Sequence, residues 1–494
     1  MVKKAKSPTT VKTVAVKMRL DLDLETQSRL DGQSRIASWL WNELLERANL
    51  VRDRVWVANK TGGGADLQDI YFLYGEHNLR EYMVTLKETK PFLKALFSSP
   101  TKNVALRLSR AIRDTRDPLL SHRKTRLGWP KFNKWGKDWF SLEYDEPAKG
   151  YDLVPGGIEL RLGRDRDKKR LKLFLPFRES RPDFIKPNLV KGLRIVKEHE
   201  IYYAILTVNR SLVAQKSLPA KPKVIVFDPG HISPLTGYDT ERQVFKLERP
   251  AFIKTNDQRI DETKSKRDHC QRRAKRVYTP SSLADDSIPT NRKKYYWLAS
   301  RRWRYYDNKL QKLNARRREQ LTTWANTWAN YFYKHYDACA MGNYSPYGQG
   351  LNRQMRRSMN NQSAIGALRK ALKWVAIRSG KRFIDFDEYN TTKTCAQCLY
   401  ILPEKIEPGI ETWVCPNCQS INDRDGNAAI NGFLKILTDY PELNLDNPRS
   451  GSDQLVQTSG TWRLTKAGLI TKIKSTSEQN KTLGSVLSDL PPLF

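Results

Sequence analysis

Four cysteines and a set of carboxylates in the second half of the sequence have the types and spacing to do chemistry. Cys395, Cys398, Cys415 and Cys418 form two CxxC pairs with 16 residues between them, within the range of a four-thiolate zinc site. Such a site is coordinatively closed, so its single zinc ion is expected to be structural, not catalytic. Acidic residues flank the pairs: Asp385, Asp387 and Glu388 before them, Asp423 and Asp425 after. A metal clip between two acidic segments can hold carboxylates that are distant in sequence close together in space. A further acid, Asp228, ends the apolar run VIVFD ahead of a Pro-Gly turn. In open α/β sheets the working residues lie at the carboxyl ends of strands. Taken singly, Asp228 is an ordinary turn residue and Asp425 an ordinary helix cap; their combination with the cysteine clip makes them informative.

The bulk properties narrow the partner. The 494 residues carry a formal charge of +35 with 39% hydrophobic residues, a globular composition long enough for two to four domains. So large a positive excess points to a polyanion, foremost nucleic acid. No apolar run approaches the ~18 residues that would span a bilayer. The first residues, MVKKAKSPTTVK, have no apolar stretch after their lysines and are not expected to act as a secretory signal. Six cysteines, four of them in the paired set, with Cys270 and Cys339 alone, suit a reducing compartment with a metal site, not a disulfide framework.

The elements that must position these residues follow from periodicity. Val11–Leu22 alternates as a strand. Helical spacing begins in SRIASWLWNELLERANL, with Ser34 as the expected N-cap, and continues through Tyr71–Leu86 and Thr101–Asp117, interrupted at Gly62–Gly64. From Trp129 short strands separated by Gly, Pro and Asp turns suggest a small antiparallel barrel, completed by the first strand. After a linker, strands and helices alternate as in an α/β sheet: VIVFD, strands over Ile232–Arg249, a long basic helical region, a buried strand at Ala338–Met341, a helix stopped at Gly380, the strand RFIDFDE, and a helix starting near Asp425. The residues after about Asp446, rich in Ser, Thr and Gly, read as mostly irregular or peripheral. Between Arg259 and Arg318 there are 19 Lys/Arg against 6 Asp/Glu, interleaved with aromatics such as Trp303 and Tyr305. Arg272, Arg273, Arg301, Arg302, Arg304, Arg316 and Arg317 are the candidate phosphate contacts there, with aromatics available to stack on unpaired bases.

VFDPG (Asp228), TTKTCAQC (Thr391–Cys398), CPNC (Cys415–Cys418) and DRDGNAA (Asp423–Ala429), on a chain of this charge, resemble the TnpB/Fanzor superfamily of RNA-guided nucleases, relatives of the type V CRISPR effectors. The resemblance spans most of residues 10–435 and is strongest after Asp228. It implies a mixed fold, α/β with separate α and β parts. A wedge β-barrel of oligonucleotide-binding type would comprise 1–25 and 123–216, with a helical recognition domain at 26–122. A linker at 217–222 would lead to a RuvC-like, RNase H-type nuclease domain at 223–445, with the zinc ribbon inserted at about 391–421 and a tail at 446–494. It also implies a guide RNA, a double-stranded DNA target with a short flanking motif, and one protein monomer per guide. The expected location is a prokaryotic cytoplasm, or a nucleus if the chain is Fanzor-like.

The sequence departs from that pattern at one point. Where the family carries a glutamate at the end of the fourth strand, this chain has CAMGNY, with Gly342 and Asn343. Asp337 stands at the wrong end of that strand, and Glu319 lies in a basic helical run. Glu388 closes the next strand, and parallel neighbours lie about 4.8 Å apart, so its carboxylate can reach nearly the same point. EYNTT is similar to the E-Y-x-T-[ST] arrangement of the branch with a relocated glutamate. Asp387 is the reserve candidate. The resemblance thus implies Asp228, Glu388 and Asp425 as the catalytic set, binding one or two magnesium ions. Two other readings stay open: a binding-only repressor guided by RNA, suggested by Gly342, and a RuvC-like resolvase or transposase-associated nuclease that uses no RNA.

Overall fold

The computed structural model describes residues 11–75, 77–115, 128–133, 139–164, 169–211, 217–272, 276–278, 295–297, 299–343, 364–404, 406–407, 409–450, 454–465 and 468–475. The fold is mixed α/β. The chain divides into two compact units, Val11–Ser211 and the described residues from 217 onward.

In the first unit β1 (Val11–Arg19) leads into four helices: α1 (Leu24–Lys60), α2 (Leu67–Tyr74), α3 (Asn78–Thr89) and, after a 3-10 turn at Pro91–Ala95, α4 (Ser98–Arg113). Six strands come next: β2 (Trp139–Tyr144), β3 (Tyr151–Val154), β4 (Gly157–Arg164), β5 (Arg170–Pro176), β6 (Val190–Glu198) and β7 (Ile201–Ser211). β1 pairs antiparallel with β7 along its whole length, in a sheet ordered β1-β7-β6-β2 beside a three-stranded sheet β3-β4-β5. The helices are thus an insertion between two sheet elements. Ser34 is not an N-cap. α1 starts ten residues earlier, where the Asp23 carboxylate accepts from Thr26 N–H, and Ser34 is buried inside the helix with its hydroxyl donating to Asp31 O. The polar first turns of α1 hide its true start from apolar periodicity.

The second unit is built on a seven-stranded sheet. Its elements in order are β8 (Val224–Asp228), β9 (Thr236–Asp239), β10 (Gln243–Leu247), α5 (Ala251–Arg272), β11 (Arg276–Tyr278), β12 (Tyr295–Trp297), α6 (Arg301–His335), β13 (Ala338–Gly342), α7 (Ile365–Ser379), β14 (Arg382–Phe386), β15 (Thr412–Val414), β16 (Ile421–Asp423), α8 (Arg424–Asp439), β17 (Thr458–Leu464) and β18 (Ile470–Ser475). The order is β14-β13-β8-β9-β10-β17-β18. β8, β9 and β10 form an antiparallel meander, while β13 and β14 run parallel to β8 on its other side. These five strands have the 3-2-1-4-5 order of an RNase H-type sheet.

β8 shows why. Its side chains alternate between two buried faces. Ile225 and Phe227 pack with Trp328, Phe332, Leu368 and Leu372 of α6 and α7. Val224 and Val226 pack with Ala429, Ile430 and Phe433 of α8. On α8, Gly432 lets the helix press on the sheet, since a Cβ there would meet Phe386 Cζ at 2.7 Å. Gly380 ends α7 in the left-handed conformation (φ 68°), as its sequence position predicts.

Two expectations are corrected. The residues after Asp446 are not wholly peripheral: β17 extends the sheet parallel to β10, and Trp462 stacks on Phe245 with centroids 4.1 Å apart. One buried aromatic anchors an otherwise polar strand, too little pattern for composition to betray. The basic region is also not helical throughout, because β11 and β12, which fall between α5 and α6 in the chain, pair antiparallel.

Candidate functional site

The four cysteines gather at one point. Their sulfurs all lie within 4.8 Å of one another, with Cys395 and Cys418 3.7 Å apart and Cys398 and Cys415 3.6 Å apart. Four thiolates about 2.3 Å from a shared centre stand about 3.8 Å apart, so the spacing fits a tetrahedral zinc ion. The two CxxC turns are built alike. Cys395 N–H donates to Tyr400 O and Cys415 N–H to Ser420 O; Leu399 N–H returns to Cys395 O and Gln419 N–H to Cys415 O. The residue after the second cysteine of each pair has positive φ, 64° at Leu399 and 57° at Gln419, a conformation that disfavours side chains and that both turns adopt to aim their thiols inward. The Asn417 side chain and the Tyr400 amide hold the Cys398 thiol down to about 6, favouring the thiolate. Cys415→Ser is expected to lower bound zinc from one per chain to below about 0.2, read by atomic absorption on purified protein.

Asp228 ends β8 and is half-buried. Loss of water around its carboxyl, then the charges of Glu388 and Asp425, push it well above the usual carboxylate range. These three acids come from three separate elements. Glu388 lies just past the end of β14. Asp425 lies in the first turn of α8, whose N-cap is the Asp423 carboxylate accepting from Gly426 N–H at 2.7 Å; Asp425 itself is paired with Arg424 at 3.0 Å. Among the described residues the cysteines are the cluster whose ligand atoms gather closely enough to hold an ion. Among the described residues the three carboxylates do not gather that closely.

Gly342 has a steric role that its sequence position conceals. It ends β13 beside Phe386 of β14. A Cβ built on it would overlap the Glu388 side chain, with Glu388 Cδ at 2.5 Å. Glu388 therefore occupies the space over Gly342 Cα. Asn343 completes the fit: its N–H donates to Phe386 O (2.9 Å) and its Oδ1 accepts from Glu388 N–H (3.3 Å). The other nearby acids are otherwise placed. Asp385 is exposed and held by Arg369 and Lys373, each at 2.5 Å. Asp387 is exposed and accepts from Tyr389 N–H at 3.3 Å.

Two residues that sequence reasoning missed tie Glu388 to Asp425. Asn427 and Asn431 are one turn apart on α8 and both buried. Asn427 donates to Thr394 O (2.7 Å) and accepts from Ala396 N–H (2.8 Å); Asn431 donates to Thr391 O (2.8 Å) and Thr394 O (2.6 Å). Thr391 in turn donates from its hydroxyl to Glu388 O (2.9 Å). The helix that carries Asp425 thus grips the segment running from Glu388 into the first cysteine turn. The signal was two asparagines at i, i+4 on an otherwise apolar face. Asn431→Ala takes the side-chain donor from the buried Thr391 carbonyl, while Thr394 O keeps Asn427, and is expected to cost about 1–3 kcal/mol, read as a lowered denaturation midpoint.

The basic candidates separate. Arg301, Arg302, Arg304 and Arg316 are exposed on α6. Arg317 faces α5 and pairs with Asp257 at 2.5 Å, so it joins the two helices. Arg272 lies in α5, and its side chain, like the whole of Arg273, lies outside the described residues.

Comparison with known proteins agrees with the cysteine segment. Residues 366–432 match the family model "Cas12f1-like, TNB domain". No curated protein matches the chain. Among solved structures, it is similar to Cas12f1 in a complex with sgRNA and target DNA (11% identity, 85% of this chain and 98% of that one, TM-score 0.46). It is also similar to CasPhi-2 (Cas12j) bound to crRNA (10%, 87% and 98%, 0.35). A third likeness is to Alicyclobacillus acidoterrestris C2c1 with single-guide RNA (8%, 93% and 73%, 0.36). No helix among the described residues is long and apolar enough to cross a membrane. The family match falls on the stretch that carries TTKTCAQC, CPNC and DRDGNAA, and over that stretch the chain is similar to the Cas12f1-like TNB domain, in keeping with its resemblance to the TnpB-like relatives of type V effectors.

Proposed function

We propose that this protein is an RNA-guided DNA endonuclease with a RuvC-like site formed by Asp228, Glu388 and Asp425. The reading is carried by three acids that meet at the carboxyl end of β8: Asp228 ends that strand, Glu388 lies over Gly342 of the neighbouring β13, and Asp425 Oδ2 lies 3.7 Å from a Cβ built on Gly230, just past Asp228. All three are hard oxygen donors, the set that suits magnesium, and a raised carboxyl among like charges is what a cation relieves. Magnesium held there would activate a water and stabilise the leaving 3′-oxygen of a phosphodiester. The chain's own part is placement. The buried β8 fixes Asp228, the space over Gly342 receives Glu388, and Asn427 and Asn431 keep α8 and the Glu388 segment in register. The four thiolates would hold one zinc ion and set the spacing of the two acidic flanks.

The RNA and DNA partners rest on the charge of +35, on the exposed arginines of α6 and on likeness to proteins solved with guide RNA. On this reading pairing with the guide selects the DNA, and the protein reads a short flanking duplex. With an acid filling the space over Gly342, that glycine ceases to favour a binding-only repressor. The test is to purify the full chain from its native locus context, sequence the RNA that accompanies it, and assay cleavage of matching DNA with and without magnesium. RNA together with magnesium-dependent cleavage is expected. RNA without cleavage favours the repressor, and cleavage without RNA favours the resolvase-like reading; either outcome overturns the proposal.

A further inference from the structure

The stripe of α8 that carries Asn427 and Asn431 holds a third side chain. Lys435 follows Asn431 by four residues, so the three lie one above another along the helix, about 6 Å apart. The Lys435 ammonium donates to Asp387 O (3.1 Å) and Tyr389 O (2.6 Å), the carbonyls on either side of Glu388. The helix thus meets the facing segment in reverse order. Asn427 takes Thr394 and Ala396, Asn431 takes Thr391 and Thr394, and Lys435 takes Asp387 and Tyr389.

Each residue type fits what it faces. Asn427 meets one carbonyl and one N–H, and an amide supplies both a donor and an acceptor. Asn431 meets two carbonyls, and its amide nitrogen donates to both. Lys435 also meets two carbonyls, but on exposed residues past the end of β14. Lysine has a long stem, three donors and no acceptor. The ammonium is directed at backbone oxygen and not at the neighbouring acid, since the Asp387 carboxylate accepts from Tyr389 N–H (3.3 Å).

These bonds fall where the sheet no longer governs the chain. The β13–β14 pairing stops at Phe386. Glu388 itself is held at its N–H by Asn343 Oδ1 and at its carbonyl by the Thr391 hydroxyl. A peptide unit is planar, so fixing Asp387 O also orients the plane that carries Glu388 N and Cα. Fixing Tyr389 O holds the chain on the far side. We propose that Lys435 is the positioning residue for Glu388: by holding both flanking carbonyls it sets where the third carboxylate stands, and so how tightly the site holds a divalent cation. The proposal rests on the reading of Glu388 as that carboxylate. Groups that orient a ligand without touching the ion govern metal affinity by about 10- to 100-fold.

The test uses no cleavage. Magnesium is titrated into the magnesium-free full chain and the thermal midpoint is followed, because a cation that binds the folded state raises it. Lys435→Met keeps the reach of the side chain and removes its donors, while Lys435→Arg keeps donors. For the same rise in midpoint, Lys435→Met is expected to require about tenfold more magnesium than wild type, and Lys435→Arg to stay within about threefold of it. In a Glu388→Ala background, Lys435→Met should raise the requirement no further. A lowered magnesium-free midpoint with a wild-type magnesium requirement would make Lys435 a loop staple and overturn the proposal. An equal further loss in the Glu388→Ala background would overturn it too. Both outcomes leave the carboxylate site standing. A wild-type magnesium requirement in Glu388→Ala alone would overturn the reading of Glu388, and the proposal with it.

Discussion

Asp228→Asn is expected to abolish DNA cleavage while making the metal-free protein more stable. The two effects share one cause. Asp228 is desolvated and faces Glu388 and Asp425, which raise its carboxyl well above the usual range. A folded-state pKa above the unfolded value of about 3.9 means that the native protein holds a proton that the unfolded chain has already released. Stability therefore falls as pH rises from about 4 through the raised folded value, and the full penalty is present above it. Asparagine carries no charge and escapes that penalty. The thermal midpoint of Asp228→Asn should exceed wild type at pH 8 and converge with it near pH 4, both without metal. Adding magnesium should raise the wild-type midpoint and leave the variant unmoved, because a ligand stabilises only the state that binds it. Cleavage should fall by at least about 10³-fold. A variant less stable than wild type at pH 8 would mean that Asp228 is a structural turn residue.

The second large effect belongs to a residue with no functional group. Gly342→Ala adds one methyl group, and that methyl overlaps the Glu388 side chain. Glu388 must swing away or β13 must shift, and a displacement of about 1 Å at a catalytic group can cost about 10²-fold in rate. Cleavage by Gly342→Ala should fall by about that factor while binding of the accompanying RNA stays within twofold, about 0.4 kcal/mol. A double-mutant cycle separates this from general damage. In a Glu388→Ala background the collision is gone, so adding Gly342→Ala should cost nothing further. Full activity in Gly342→Ala, or equal additional losses in both backgrounds, would show that the close approach does not matter to the reaction.

The site was unevenly legible in the sequence. The cysteine clip was readable because thiolate spacing is local: each CxxC turn forms its own geometry, and the two turns here repeat the same hydrogen bonds. Asp228 was readable because a strand buried on both faces is a continuous apolar run, and β8 is one. The place of Glu388 relative to Gly342 was only half-readable. The absence of an acid at Gly342 directed attention to the neighbouring strand, but strand alternation could not decide between Asp387 and Glu388. β14 ends at Phe386, so the pleat does not govern either residue. The pairing of Asn427 and Asn431 at i, i+4 on an apolar face marked them as buried, but their grip on the Thr391–Ala396 segment was missed, since asparagine near a helix start suggests a cap or turn and only the tertiary fold supplies its carbonyl partners. The start of α1 and the strands β17 and β18 were misread for a shared reason. Their sequences are mostly polar, and each is held by few apolar anchors, as Trp462 on Phe245 illustrates.

The proposed site depends on Glu388 as its third carboxylate. The most direct test compares Glu388→Gln with Asp387→Asn in magnesium-dependent cleavage of guide-matched DNA, both at wild-type levels of bound RNA. Glu388→Gln keeps the shape of the side chain and removes its charge; it is expected to lose at least about 10³-fold in rate, while Asp387→Asn stays within about threefold of wild type. Near-wild-type cleavage by Glu388→Gln, or collapse of Asp387→Asn in its place, would contradict that assignment.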